Sequence, residues 1–79
     1  MLYTHGKTIK SFASADGKRV VDIVARYDGC FQFFEHVEKT VDGETYWAPG
    51  WMSGIYLTVE LAERDAIAEL PWLKNQTPN

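Results

Sequence analysis

The sequence predicts an α+β domain: an antiparallel β-meander of three to four strands with one C-terminal α-helix packed on one face. Three observations carry this reading. Asp-Gly occurs at Asp16-Gly17, Asp28-Gly29 and Asp42-Gly43, each next to β-branched or aromatic runs, and that dipeptide is a strong hairpin signal. Connections this short join antiparallel neighbours. After Thr58 the apolar spacing changes from alternation to a helical stripe.

In chain order, Met1 to Gly6 reads as a frayed end and Thr8 to Ala13 as the first strand. Ala15-Asp16-Gly17 turns the chain back. The register that pairs Ile9 with Ile23 and Lys10 with Asp22 is preferred for its charge pair.

The central hairpin, Arg19 to Glu38, organises the rest. A two-residue turn at Asp28-Gly29 would set Asp22 against Glu35 and mix polar with apolar residues on both faces. A three-residue loop, Tyr27-Asp28-Gly29, places glycine in the left-handed conformation it tolerates. It also gathers Val21, Ile23 and Ala25 with Phe31, Phe33 and Val37 on one face. Asp22 and Arg26 then share the other face with Gln32, Phe34 and His36. A one-residue slip inverts every side chain, so this segregation selects the three-residue loop. Glu35 is the misfit on the apolar face, expected near the sheet end where its carboxylate reaches water.

Val41-Asp42-Gly43, read as another three-residue loop, puts Trp47 opposite Val37 on the apolar face. Thr45 to Ala48 is then the last strand, ended by Pro49 and Gly50. Trp51 to Leu57 either resumes a strand or crosses the sheet end as an ordered loop. Thr58 caps a helix running to Leu70, with Glu60 and Glu63 suited to its N-terminal end. Val59, Ala62, Ala66 and Leu70 form its apolar stripe, with Ile67 beside it, and Glu60 and Arg64 are spaced as an i,i+4 pair. Pro71 ends the helix, Trp72 and Leu73 fold back onto the core's edge, and Asn75 to Asn79 are expected to be disordered.

The 79 residues make a single domain, 1–79, with an ordered core of about 8–73. A chain this short buries a limited core, and small scaffolds commonly lean on disulfides, a metal or oligomerisation. Cys30 is the only cysteine, and His5 and His36 lack metal-site spacing with it. No cofactor is therefore expected. The 46% hydrophobic content is that of a globular chain. No apolar run approaches the ~20 residues that span a bilayer. Residues 1–7 lack the apolar centre of a signal peptide. With one unpaired cysteine, a cytoplasmic location is expected.

Net charge is −3, unevenly spread. Lys7, Lys10, Lys18 and Arg19 against Asp16 make residues 1–19 locally basic, while the remainder is acidic. Such polarity can orient a partner, although charges also fall on solvated faces for no further reason. A nucleic-acid-binding or regulatory accessory domain using these basic N-terminal strands, with Arg26, is the alternative function. The overall acidic balance disfavours phosphate binding.

One helix covers one face. The uncovered face keeps Val20, Val24, Phe34, His36 and the stem of Arg26, and Leu61 sits on the helix's far side. These residues form the candidate interaction surface, and the function expected is a non-catalytic protein-interaction module that self-associates, as a homodimer, through the uncovered face. An unidentified protein is the other partner expected, and scattered surface apolar residues are also ordinary.

Candidate chemistry is sparse. Cys30 and His36, six residues apart on a straight strand, lie about 20 Å apart at ~3.3 Å per residue, too far for a thiolate–imidazole couple. Asp22 and His36 are near cross-strand neighbours and could position an imidazole for acid–base work, with no nucleophile assigned beside them. Glu35, Glu38, Asp42 and Glu44 would need to converge to bind a cation. Tyr46, Trp47, Trp51 and Tyr56 could stack bases, but core packing is the favoured role for Trp47, Trp51 and Tyr56. No Gly-rich phosphate loop, zinc pattern or nucleophile elbow is present.

At Ser53-Gly54-Ile55-Tyr56-Leu57-Thr58, Glu60, Ala62-Glu63, Asp65-Ala66 and the ending Pro71-Trp72-Leu73, the chain resembles a group of short uncharacterised bacterial proteins. In these, an Asp-Gly hairpin with Phe-x-Phe, here Phe31-Gln32-Phe33, precedes such a helix. The resemblance spans roughly 16–73. It implies the strands-then-helix order and a bacterial source, and it transfers no site residues.

Overall fold

The structure, a computed structural model, describes residues 6–76. Four strands, β1 (Gly6–Ala13), β2 (Arg19–Arg26), β3 (Phe31–Val41) and β4 (Glu44–Met52), form one antiparallel sheet in the order β1-β2-β3-β4. Two helices follow, α1 (Val59–Glu69) and a short α2 (Pro71–Gln76). The expected meander is present. The second helix was not expected: Pro71 stops α1 and, having no N–H to satisfy, starts α2. Asn75 and Gln76 therefore belong to a helix, and the Gln76 amide donates to the Ala13 carbonyl at 2.7 Å. Gly6, expected to fray, is buried at the start of β1. The expectations for Met1 to His5 and for Thr77 to Asn79 lie outside the described residues.

The central hairpin has the predicted three-residue loop. Arg19 pairs with Val37, Asp22 with Phe34 and Ala25 with Phe31. Arg26 N–H donates to the Cys30 carbonyl at 2.8 Å, and Gly29 has φ +86°. Asp28 fastens the loop by accepting from the Cys30 N–H (3.1 Å) and from the Arg26 guanidinium (3.0 Å). Arg26 accordingly holds the Asp28 carboxyl below the usual carboxylate range.

The other two hairpins depart from the expected registers. Between β1 and β2 the Ser14 N–H reaches the Arg19 carbonyl, closing a loop one residue longer than Ala15-Asp16-Gly17. Asp16 accounts for the extra residue: its carboxylate accepts from the Ser14 hydroxyl (2.6 Å) and the Lys18 N–H (3.0 Å). Lys10 therefore faces Ile23, and Ser11 faces Asp22. The ladder shifts again between Thr8 and Lys10, and Ile9, expected opposite Ile23, is left in that bulge and exposed. Between β3 and β4 the turn has two residues, Asp42 at φ 51° and Gly43 at φ 81°, both left-handed as a type I′ hairpin requires. Val37 then faces Ala48, and Trp47 faces Glu38, so Trp47 lies on the face opposite the one predicted. β4 also does not stop at Pro49. It runs to Met52 through an irregularity opposite Glu35.

The chain beyond β4 stays beside β3. Ser53 N–H donates to the Phe33 carbonyl, its hydroxyl accepts from the Phe33 N–H, and Tyr56 exchanges two backbone bonds with Phe31 at 2.8 Å. Both alternatives for this stretch are thus partly realised, as an irregular segment that resumes pairing.

Thr58 caps α1 as predicted, its hydroxyl accepting from the Leu61 N–H. The stripe then meets the sheet: Val21, Ile23 and Phe33 from the strands pack with Ala62, Ala66, Leu70 and Leu73 from the helices. Phe12, Phe31, Tyr56, Val59, Ile67 and Trp72 surround this core, and the Phe33 and Tyr56 rings stack with centroids 6.1 Å apart. Across the layers, the ion pair formed by α1 is Glu63 with Lys10 of β1 at 3.0 Å.

Glu35 overturns its expected environment. It is 7% exposed, among the core residues and away from water. Its carboxylate accepts from the Trp72 indole N–H (2.7 Å), the Trp51 backbone N–H (3.1 Å) and the Arg19 guanidinium (3.3 Å). A buried carboxylate is tolerable when its lone pairs are so occupied. The three donors come from α2, β4 and β2, so one side chain ties three elements together.

Candidate interaction surface

The helices rest on β2 and β3, leaving β4 outside their cover; of its nine residues only Ala48 is half-buried, the rest exposed. Tyr46, Trp47 and Trp51 each keep about half of their surface accessible, and Met52 two-thirds (49%, 45%, 50% and 67%). Ile55 and Leu57, on the segment after the strand, are exposed as well. Core packing, the predicted role of Trp47 and Trp51, is therefore wrong for both; of that aromatic group Tyr56 alone packs against the core. Register is the physical cause. The two-residue turn rotated Trp47 away from the helices, and the absence of helix above β4 leaves Tyr46 uncovered on the opposite side.

The backbone of β4 is equally informative. In a two-residue hairpin the residues flanking the turn, Val41 and Glu44, hydrogen-bond to each other, and facing alternates from there. Tyr46 and Ala48 bond inward to β3, while Thr45, Trp47 and Pro49 direct their backbone groups outward. Pro49 thus stands where a missing N–H costs the sheet nothing. The last bond between the β2 side and β3 runs from the Glu38 N–H to the Lys18 carbonyl at 2.8 Å, so Lys39 to Tyr46 is a two-stranded ribbon projecting past the sheet. A two-stranded ribbon is marginally stable by itself, and a long edge strand bearing apolar side chains is a template for pairing.

The face expected to remain open is less available than predicted. Val24 is 2% exposed and His36 8%. Val20, Arg26, Phe34 and Leu61 are half-buried. Arg26 is held by Asp28 and by Gln32, whose amide oxygen accepts from it at 2.6 Å. Leu61 lies on α1, in the other layer of the fold, and is not continuous with the sheet residues named with it.

On that face Asp22 and His36 do meet, His36 Nε2 lying 3.4 Å from Asp22 Oδ2, with both side chains buried. A hydroxyl is present too, which the sequence reading missed because it placed Lys10 opposite Asp22: the Ser11 hydroxyl donates to Asp22 Oδ1 at 2.6 Å. Nucleophile activation needs the hydroxyl on the imidazole and the carboxylate behind it; here the carboxylate stands between the two. Among the described residues no group of three or more His, Cys, Asp or Glu side chains is placed to hold a metal ion. The acidic run does not converge, since Glu35 is inside the core and Asp42 is at the turn.

Part of the basic charge of the N-terminal strands is already paired. Lys10 is paired with Glu63, Arg19 with Glu35 and Arg26 with Asp28, so three of the cations proposed for phosphate are already opposed by carboxylates. No described helix is long and apolar enough to cross a membrane. No family model, curated protein or solved structure matches the chain.

Proposed function

We propose that this chain is a small non-catalytic interaction module of the cytoplasm that engages another polypeptide through β4. The observation that carries the reading is a nine-residue edge strand that pairs with β3 on one side and with no other described strand, with Tyr46, Trp47, Trp51 and Met52 exposed along it. Aromatic residues and methionine are the side chains enriched where proteins meet. Pairing at a strand edge supplies main-chain hydrogen bonds, and the flanking side chains supply selectivity. The order of hydrogen bonds at Ser11, Asp22 and His36 supports a non-catalytic role, and the half-buried, unpaired Cys30 suits a reducing compartment.

The test is selection of a displayed random-peptide library on the immobilised full chain, with Trp47→Lys as counter-target. Trp47 is half exposed, so this variant keeps the core. Enrichment of extended, apolar sequences that bind the wild-type chain and lose at least tenfold in affinity on the variant is expected. Binders indifferent to Trp47→Lys would sink the assignment of the surface.

A further inference from the structure

Resting on the reading of β4 as the interaction surface, we infer that its partner is a second copy of this chain, joined edge to edge so that two antiparallel β4 strands make one eight-stranded sheet. The outward backbone groups define the pairing. Thr45 and Trp47 each offer an N–H and a C=O, whereas Pro49 offers a C=O alone. An edge of this kind is self-complementary about a twofold axis, because each donor of one copy meets an acceptor of the other.

Two of the registers that use these groups are centred on the exposed aromatic residues. With the axis through Trp47, the Thr45 carbonyl of each copy meets the Pro49 ring of the other and finds no donor, which leaves a polar group buried and unsatisfied. With the axis at Tyr46, Thr45 of one copy pairs with Trp47 of the other in both directions, and Pro49 lies opposite Gly43, at the turn where the ladder has already ended. The second register satisfies every outward donor. It also sets the two Tyr46 side chains directly across from each other, as a close non-hydrogen-bonded pair.

The same geometry argues against a long extended peptide. A strand running past Trp47 would lose a donor at Pro49 and then meet the irregularity opposite Glu35, so the usable stretch is short. A second copy has the same short stretch and adds a second set of exposed side chains. Large aromatic residues present ~150–250 Å² each, and Tyr46, Trp47 and Trp51 keep about half of theirs exposed. Tyr46 and Trp47 lie within the paired stretch and together offer on the order of 200 Å² per copy. With the paired backbone the contact stays below the ~800 Å² per partner of a standard stable interface, which makes the dimer concentration-dependent.

The experiment combines mass with cross-linking in the full chain. Sedimentation equilibrium of the wild-type chain is expected to show a mass that rises towards that of two chains from micromolar to millimolar concentration. Trp47→Lys, which places a charge on the edge, and Thr45→Pro, which removes an outward N–H as Pro49 already does, are each expected to return one-chain mass with an unchanged circular dichroism spectrum. In a Cys30→Ser background, Tyr46→Cys is expected to form a disulfide-linked dimer under mild oxidation, because close cross-strand Cα atoms are within disulfide range. Trp47→Cys is expected not to, its two copies lying beyond ~7 Å. One-chain mass at all concentrations overturns the dimer, and if Trp47-dependent peptide binding persists then only the identity of the partner has failed. A dimer that survives both edge variants overturns the dimer interface and the assignment of β4 together. Cross-linking through Trp47→Cys instead of Tyr46→Cys overturns the Tyr46-centred register.

Discussion

Glu35 occupies a position that an apolar residue would fill at lower desolvation cost, on the helix-facing side opposite Val21 and in reach of the Trp72 indole. Its carboxylate accepts from Trp72, Trp51 and Arg19. Arg19 is about half exposed and can return to water if the carboxylate is removed; the two N–H groups cannot do so easily. Leaving a buried donor unsatisfied costs ~1–3 kcal/mol, so Glu35→Leu is expected to lose about 3 kcal/mol. Trp72 and Trp51 donate to different carboxylate oxygens, so Glu35→Gln keeps an acceptor for one of the two N–H groups and should lose about 2 kcal/mol. Urea unfolding of the three proteins measures this, and a Glu35→Leu chain as stable as wild type would show that the carboxylate holds nothing. Gly50 belongs to the same construction. A Cβ there would meet the Glu35 carboxylate, so glycine lets β4 cross the buried acid. The sequence marked Glu35 as the misfit of the apolar face but could not place it in the interior, because its three donors are 16, 16 and 37 residues away and no local pattern encodes them.

At the scale of elements, the same limit divides what was legible. The central hairpin was readable because only one register segregates its side chains, and α1 because cap, stripe and Pro71 agree. The outer hairpins were not. Their loop lengths depend on one Asp side chain at Asp16 and on one left-handed non-glycine residue at Asp42, and a one-residue change there moved Ser11 onto Asp22 and Trp47 into solvent. Pro49 was the available signal for β4, since proline in an aromatic strand indicates an edge. The contact between α1 and the segment after β4 is sensitive to pH. The Tyr56 phenol is pushed up to about 12 from its ordinary 10.0, first by burial and then by the Asp65 and Glu69 carboxylates of α1. A raised folded pKa means that the folded state holds this proton more tightly. The contribution is complete below the unfolded pKa of 10.0 and is lost as pH rises towards about 12. Tyr56→Phe, which has no proton to lose, should therefore show a shallower fall in stability than wild type across that interval. Denaturant titrations at closely spaced pH values measure the difference, and parallel curves would remove Tyr56 from the account.

Across the whole molecule, cover is unequal, and stability should follow it. β2 and β3 lie beneath both helices and supply Val21, Ile23 and Phe33 to the core. β1 is an edge strand latched from above, by Lys10 on Glu63 and by Gln76 on the Ala13 carbonyl. Among the described residues nothing covers or latches β4 along its outer side; it is tied by the ladder to β3 and by the Trp51 amide on Glu35. Amides open with a free energy set by the contacts that must be lost to expose them. Hydrogen exchange at low protein concentration should therefore be slowest for Ile23 and Phe33, intermediate for Phe12, and fastest for Thr45 and Trp47, whose N–H groups face outward. Raising the concentration should slow Thr45 and Trp47 selectively, because the proposed partner strand pairs with those two amides and leaves Ile23 and Phe33 already limited by global unfolding. Exchange followed residue by residue by NMR at two concentrations measures both effects. Protection gained instead at Phe34 and Val20 would move the association to the opposite face of the sheet and leave the exposure of Trp47 without a function.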